Sequence, residues 1–250
     1  MGLQINGQDF AHPALDGIVI TRNKPFDRLD RTHTVDRIVV HESVTKDGDV
    51  GGLLDSTERV LRRKKYNIGG RKVSAGVHLM CDAGDGELVQ HNDLQLDALI
   101  HAGTHNRYAI GVEVVNPYYE DIAPDHGPWH TVIDARWAHK KRYVVPTTKQ
   151  LETLVAVIDA LTDCAIDGID IPFSFAGMKG RRMAMGRAPH AASSIRKTGG
   201  IWAHCYTQHA DGAFPVLYSY LRLCEGLSPE DAMRSAIYAA ETVRGGWATL

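Results

Sequence analysis

Short runs of apolar and β-branched residues recur along the chain, and segments with helical spacing separate several of them. This alternation indicates an α/β fold, because buried strands and amphipathic helices must cover each other's apolar faces. We therefore predict a mixed central β-sheet flanked by helices. The candidate strands are residues 18–21, 37–41, 77–81, 87–91, 110–115 and 201–205.

Local patterns support this architecture. The aspartates and glycines of segment 82–86 suit a tight reversal, so its two flanking strands are predicted to form a hairpin. After Pro146, a threonine hydroxyl can cap a helix whose apolar stripe should lie on the sheet. That stripe consists of Leu151, Leu154, Val155, Ile158 and Leu161. Shorter helices are predicted at about 55–65 and after Pro215 and Pro229.

The length of 250 residues suits one large enzyme-sized domain. We predict a single domain over 1–250, with a long basic loop at 166–200 and a C-terminal helical extension at about 225–250. The 28 basic and 30 acidic residues give a formal charge of −2, which favours neither nucleic acid nor a membrane surface as partner. The cations of the loop are Lys179, Arg181, Arg182, Arg187, Arg196 and Lys197.

The first ten residues, MGLQINGQDF, have neither the basic cluster nor the apolar core of a signal peptide. No segment approaches the roughly 18 consecutive apolar residues of a membrane span. We therefore expect synthesis in the cytoplasm without a signal peptide, and no membrane span. The four cysteines form no CxxC pair, so we expect buried reduced thiols: Cys81, Cys164, Cys205 and Cys224.

Two apolar runs end in histidine, the commonest zinc ligand in proteins. His41 ends the first run and His204 the second, and Asp211 follows seven positions later. Zinc sites that perform chemistry use three protein ligands and leave a fourth position for water. These residues are therefore candidate ligands, although each histidine alone is also compatible with a structural role.

Glu113 places one carboxylate inside the apolar run 110–115. A buried charge without a partner would cost several kcal/mol, so this carboxylate needs a partner or a chemical role. It could form a salt bridge with an arginine such as Arg107, or it could act as a general base near a metal. Both interpretations stay open from this run alone.

Taken in order, five blocks resemble the zinc-dependent N-acetylmuramoyl-L-alanine amidases, a family that includes phage lysozyme-like amidases, recycling amidases and peptidoglycan recognition proteins. The resemblance covers roughly residues 35–216. The blocks are IVVH at 38–41, SAGVHLM at 74–80 with its Asp-Gly turn, HAGTHN at 101–106, IGVE at 110–113, and Ala203-His204 with Asp211.

The resemblance implies one zinc ion held by His41, His204 and Asp211, with Glu113 as the catalytic glutamate. It places His209 where many members have a lysine that supports the reaction. The block HAGTHN contributes His101 and Asn106 as candidate substrate-binding residues; His101 could also only shape the groove. The last block departs from the family pattern Lys-x-Asp-Pro-Gly, since this chain reads His-Ala-Asp-Gly-Ala.

The implied function is hydrolysis of the amide bond between N-acetylmuramic acid and L-alanine in peptidoglycan, as in a phage endolysin. In that case the basic loop is either solvated or contacts stem-peptide carboxylates. The protein would be released to act on the cell wall, or would recycle wall fragments in the cytoplasm. The alternatives are a non-catalytic peptidoglycan-binding module, a phage tail or injection-device component, and a thiol hydrolase that uses Cys205.

Overall fold

The chain folds around a central β-sheet in the computed structural model. The residues that the structure describes are 2–43, 52–116, 131–134, 142–185, 199–207, 213–242 and 246–250. The helices among them are α1 Gly52–Arg63, α2 Thr148–Thr162, α3 Phe214–Cys224 and α4 Pro229–Thr242. None of these described helices is long and apolar enough to cross a membrane.

The strands are short, and most of them pair in small sheets around the central one. They are β1 Leu3–Ile5, β2 Gln8–Phe10, β3 Ile20–Arg22, β4 Leu29–Asp30, β5 Arg37–Glu42, β6 Lys65–Ile68, β7 Arg71–Ser74, β8 Leu79–Cys81, β9 Leu88–Gln90, β10 Asp97–Ala98, β11 Ala109–Val114, β12 Thr131–Asp134, β13 Arg142–Val145, β14 Met178–Lys179, β15 Arg182–Ala184, β16 Gly200–Ala203 and β17 Trp247–Thr249.

The central sheet has six strands in the order β16-β5-β11-β8-β9-β3. The first four run parallel, β8 and β9 form the predicted antiparallel hairpin, and β9 pairs parallel with β3. The prediction of a mixed α/β sheet is therefore confirmed. Because β16, β5 and β11 run in the same direction, their carboxyl ends meet at one edge of the sheet.

Strands β5 and β11 lie at the centre of this sheet and are buried along their whole length. Continuous apolar runs are typical of parallel strands that are covered on both faces. Both runs nevertheless end in polar side chains that are themselves buried, namely His41, Glu42 and Glu113. The burial of these groups marks the carboxyl edge as the part of the fold where polar chemistry is concentrated.

Helix α2 covers one face of the sheet, as its apolar stripe predicts. Thr147 caps its first turn through a capping box with Gln150. The Gln150 amide also donates to the carbonyl oxygens of Cys81, the last residue of β8, and Val115, the residue after β11. Four of the five predicted stripe residues are buried, and Val155 is partly exposed. The helix is thus fixed to the sheet at its N-terminus.

Helix α1 is followed by a two-stranded antiparallel ribbon that no sequence pattern predicted. We call this ribbon, formed by β6 and β7, the basic ribbon, because residues 64–72 contain four cationic side chains. Gly69 and Gly70 join the strands with φ values of 58° and 82°. A two-residue turn with positive φ at both positions matches the twist of a hairpin and favours glycine.

The segment predicted as a basic loop at 166–200 contains strands in its described part. Strands β14, β15 and β17 form a three-stranded sheet, so the end of the C-terminal extension is a strand instead of helix. Met183 and Ala184 are buried there, which explains why this stretch is ordered despite its cations. Arg187, Arg196 and Lys197 lie outside the described residues. A single domain over the whole chain stays a prediction.

Candidate active site

A cavity of about 520 Å³ lies at the carboxyl edge of the central sheet. The imidazoles of His41, His101 and His204 and the carboxylate of Glu113 line it on the sheet side. Helix α1 and the basic ribbon provide the facing wall, with Thr57, Val60, Leu61, Lys64, Tyr66 and Ile68. Pockets of this size, mainly apolar with a few convergent polar groups, are typical of small-molecule sites.

The structure brings together two of the three predicted zinc ligands. β16 pairs with β5 so that Ala203 faces Val40, which places His204 next to His41. Their ring centroids are 3.9 Å apart, and both side chains are buried. His204 is the first residue of a 3₁₀ helix, His204–Thr207. The sequence had instead placed it in the strand predicted at 201–205. Two neighbouring imidazoles at a cavity are the donor set that zinc prefers.

The third predicted ligand, Asp211, and the neighbouring His209 lie outside the described residues. Within the described part of the chain, no group of three His, Cys, Asp or Glu side chains could hold a metal ion. His41 and His204 therefore fit a zinc site as two of its three ligands, and the assignment of Asp211 stays a prediction.

His101 lies directly against the first of these histidines. Its Nδ1 is 2.9 Å from Nε2 of His41, so one imidazole donates a hydrogen bond to the other. Burial lowers the pKa of His101 well below its ordinary value, and the neighbouring His78 and His204 lower it further. Burial therefore favours the neutral form of the His101 imidazole.

Gly111 makes this arrangement possible. A Cβ atom at Gly111 would lie 2.9 Å from Nδ1 of His101 and 3.1 Å from its Cγ, closer than real side chains approach. The imidazole of His101 therefore rests on the bare backbone of β11. Its contact with His41 depends on the absence of a side chain at this position.

His78 is a structural residue that directly precedes β8, although the candidate strand at 77–81 included it. It is completely buried, its Nδ1 accepts a hydrogen bond from the Gly111 amide, and its Nε2 donates to the carbonyl oxygen of Asp97. Burial, with Arg31 nearby, lowers the pKa of His78 to about 3. Both ring nitrogens are thus engaged with the backbone, which leaves neither for a metal.

Glu113 lies beside the histidines. It is the register partner of His41 on the neighbouring parallel strand, is only 6% exposed and lines the cavity. Arg107, the alternative partner considered above, precedes the amino end of β11, whereas Glu113 lies near the carboxyl end of the same strand. The position of Glu113 suits a carboxylate that acts on a substrate in the cavity.

Asn106 also lines the cavity, and it has a structural role there. Its side-chain oxygen accepts hydrogen bonds from the amides of His101 and Ala102, at 2.9 Å and 2.6 Å. These bonds hold the backbone that carries the His101 imidazole. Contact of Asn106 and His101 with substrate stays a prediction.

Glu42 is a site residue that the sequence analysis missed. It is 2% exposed, lines the cavity and accepts hydrogen bonds from the Tyr143 hydroxyl at 2.5 Å and the Asn116 amide at 2.8 Å. These bonds connect the end of β5 to β13 and to the residue two positions after β11. The signal was present, because Glu42 is a charged residue at the end of a buried run, like Glu113.

The cysteines offer no reactive thiol at this site. Cys205 is 1% exposed within the hydrophobic core and does not line the cavity. Burial raises the pKa of Cys81 to about 12, which disfavours the thiolate. All four cysteines are free thiols, but Cys164 is only partly buried and Cys224 is exposed, so the prediction that all are buried was wrong for these two.

The solved structures that this chain matches share little sequence identity with it. The Staphylococcus aureus hydrolase AmiA is 14% identical, with 94% of this chain and 93% of that chain covered and a TM-score of 0.42. The Clostridium intestinale endolysin amidase LysCS is 15% identical, with coverages of 58% and 73% and a TM-score of 0.35. The peptidoglycan recognition protein PGRP-Hd from Alvinella pompejana is 14% identical, with coverages of 64% and 87% and a TM-score of 0.37.

A comparison with curated proteins found no match. A sequence profile described as N-acetylmuramoyl-L-alanine amidase matches residues 31–211, which is most of the chain and contains every candidate site residue named above. On this match, the chain belongs to the N-acetylmuramoyl-L-alanine amidase family.

Proposed function

We propose that this protein is a zinc-dependent amidase that cleaves the bond between N-acetylmuramic acid and L-alanine in peptidoglycan. The observation that carries the proposal is the convergence of His41 and His204 beside Glu113 in one cavity. Membership of the amidase family supports the choice of substrate. In this proposal the zinc ligands are His41, His204 and Asp211.

When bound, zinc would polarise the scissile carbonyl group and lower the pKa of a water molecule. Glu113 is the general base in this scheme, because its carboxylate lies on the same face of the sheet as His41. It accepts a proton from the attacking water and returns it to the departing amine of L-alanine. His209 donates a hydrogen bond to the developing oxyanion, a role assigned from its sequence position two residues before Asp211.

His101 and Gly111 contribute orientation and not proton transfer. The hydrogen bond between His101 and His41 fixes the ring plane of His41, and such partners of metal-binding histidines raise metal affinity. Asn106 in turn fixes the backbone of His101. We assign these residues as the support of the metal ligands.

The proposal is tested by digesting purified sacculi with the full-length protein, with and without a chelator, and by mass analysis of the products. We expect free stem peptides with an L-alanine amino terminus, and no release when the chelator is present. Glycan fragments with intact peptides, or peptides cut at an internal bond, would contradict the bond assignment. Binding to sacculi without any release would instead identify a recognition module.

The same assay separates the two cellular roles. A lytic enzyme released to the cell wall should cleave intact sacculi, whereas a cytoplasmic recycling enzyme should prefer soluble muropeptides. We propose the lytic role, because the cavity is bounded by an exposed wall, α1 and the basic ribbon, that extended chains can reach. Cleavage of soluble muropeptides alone would contradict this role.

A further inference from the structure

One face of the basic ribbon combines exposed apolar side chains with cations. Tyr66 and Ile68 alternate along β6 and both line the cavity, at 45% and 40% exposure, beside Val60 of α1 at 37%. Three of the seven large hydrophobic side chains exposed in the described part of the chain therefore lie on this wall. Concentrated apolar exposure of this kind marks a binding surface.

A cation lies at each end of this apolar strip. Lys64 directly precedes β6 and lines the cavity. Arg71 is the register partner of Ile68, and opposite residues of an antiparallel pair share a face, so Arg71 lies on the face of Tyr66 and Ile68. Both cations are exposed. Along this face, an apolar strip therefore lies between two positive charges.

The two cations on this face, Lys64 and Arg71, differ from neighbouring cations because the neighbours form ion pairs. Lys65, on the opposite face, pairs with Asp27 at 2.8 Å, and Arg62 of α1 pairs with Glu58 at 3.6 Å. Lys64 and Arg71 form no ion pair with any described residue. Two unpaired cations flanking an apolar strip complement a ligand with two carboxylates and an apolar middle.

The length of the strip indicates the size of that ligand. Lys64 and Ile68 are four residues apart on an extended strand, or roughly 13 Å at about 3.3 Å for each residue. An extended peptide of about four residues spans the same distance. We propose that this face binds an acidic peptide of about four residues, with Lys64 and Arg71 contacting its carboxylates and Tyr66 and Ile68 its apolar groups.

This inference rests on the proposed function for the identity of the peptide, which is then the stem peptide of peptidoglycan. It also moves the predicted carboxylate contact from the 166–200 segment to the basic ribbon. Of the described cations in that segment, Arg181 pairs with Glu225 and Arg182 lies over the ring of Trp247. None of the three described cations of that segment, Lys179, Arg181 and Arg182, lines the cavity, whereas Lys64 of the basic ribbon does.

The test measures binding of a synthetic stem tetrapeptide to the zinc-loaded full-length protein. The peptide is compared with the same sequence whose carboxylates are amidated, and neither peptide contains the bond that the enzyme would cut. We expect the free-carboxylate form to bind about tenfold or more tightly, with a preference that weakens at high salt. The Lys64→Gln and Arg71→Gln double variant should lose this preference.

Lys72→Gln is the matched control, because Lys72 lies on the opposite face of the same ribbon and the change removes the same charge. It should keep the preference, and Tyr66→Ala should weaken both peptides equally. Equal binding of the two peptides by the unaltered protein, or an equal loss in Lys72→Gln, would overturn the inference. Discrimination between the peptides without cleavage of muropeptides would sink the proposed function and leave the peptide site standing.

Discussion

Glu113 and His41 are register partners on neighbouring parallel strands, and their side chains leave the same face of the sheet. The carboxylate is therefore placed beside His41 and its neighbour His204 by strand pairing, and not by a flexible loop. A group held this way needs little reorganisation before it acts on a bound substrate. The first prediction follows from this placement.

Glu113→Gln should remove the general base and leave the shape of the cavity intact. Loss of general base catalysis typically lowers the rate by about 10²- to 10⁴-fold. We expect a fall of this size in peptide release from sacculi, while zinc content measured by elemental analysis stays near one ion for each chain. A variant that keeps zinc and near-normal activity would show that Glu113 is not the base.

Gly111→Ala should disturb the metal site without touching a ligand. The new methyl group would lie 2.9 Å from the His101 ring, so the imidazole must move away from His41. Loss of such a supporting hydrogen bond typically lowers metal affinity about 10- to 100-fold. Competition with a zinc indicator measures the change.

Gly84→Ala is the control, since its nearest contact, a side-chain oxygen of Asp82, is at 3.4 Å. Equal zinc affinity in both variants would contradict the role of His101.

Asp211→Asn should test the ligand that only the sequence identifies. A neutral amide is a weaker zinc ligand than a carboxylate, so the purified variant should contain much less zinc and lose activity. The control is Asp167→Asn, which removes the same charge from an exposed position. Full zinc content in the Asp211 variant would mean that another group completes the site.

Buried His91 should make the folded protein sensitive to mild acid. Burial lowers the pKa of His91 from 6.5 to about 4. The unfolded chain therefore takes up a proton near pH 6.5 that the folded protein takes up only near pH 4. Stability is fully present above pH 6.5 and falls as the pH drops towards 4, by about 1.4 kcal/mol for each pH unit at most.

His91→Gln removes this titration and keeps an amide that can donate to the Lys24 carbonyl, as the imidazole Nδ1 does. Urea unfolding of the metal-free protein at several pH values measures the effect. The slope of unfolding free energy against pH between 4 and 6.5 should be smaller in the variant. Identical slopes would show that His91 titrates normally in the folded state.

Thiol modification should leave the activity unchanged. Cys224 is the exposed cysteine and does not line the cavity, whereas Cys205 is enclosed in the core. Treatment of the native protein with an alkylating reagent should therefore label Cys224 first and spare sacculus cleavage. Inactivation that Cys224→Ser does not prevent would support the thiol hydrolase considered from the sequence.

The elements that the sequence predicts best are those with strong local signals. The capping threonine and apolar stripe of α2, the Asp-Gly turn between β8 and β9, and the apolar runs of β5 and β11 all form as expected. In each case the local pattern and the tertiary packing favour the same structure. The basic ribbon gave a weaker signal: residues 65–68 alternate polar and apolar side chains, but the run is only four residues long and is exposed on both faces.

The candidate site could be predicted only in part, for a different reason. The sequence identifies His41, Glu113 and His204 as polar ends of apolar runs, but the order of strands in the sheet decides whether they meet. That order depends on long-range pairing between residues 37–42 and 200–203, which no local pattern encodes. The role of Gly111 was also hidden, since it appears only when the His101 ring is seen against the backbone of β11.

The pairing of β16 with β5 also has a consequence for biosynthesis. His41 leaves the ribosome well before its neighbour His204, which follows the strand at 200–203. A partly made or prematurely terminated chain cannot assemble the histidine pair. A metal site built on this pair would then form only after the strand at 200–203 has been made, so shorter fragments would lack the proposed activity.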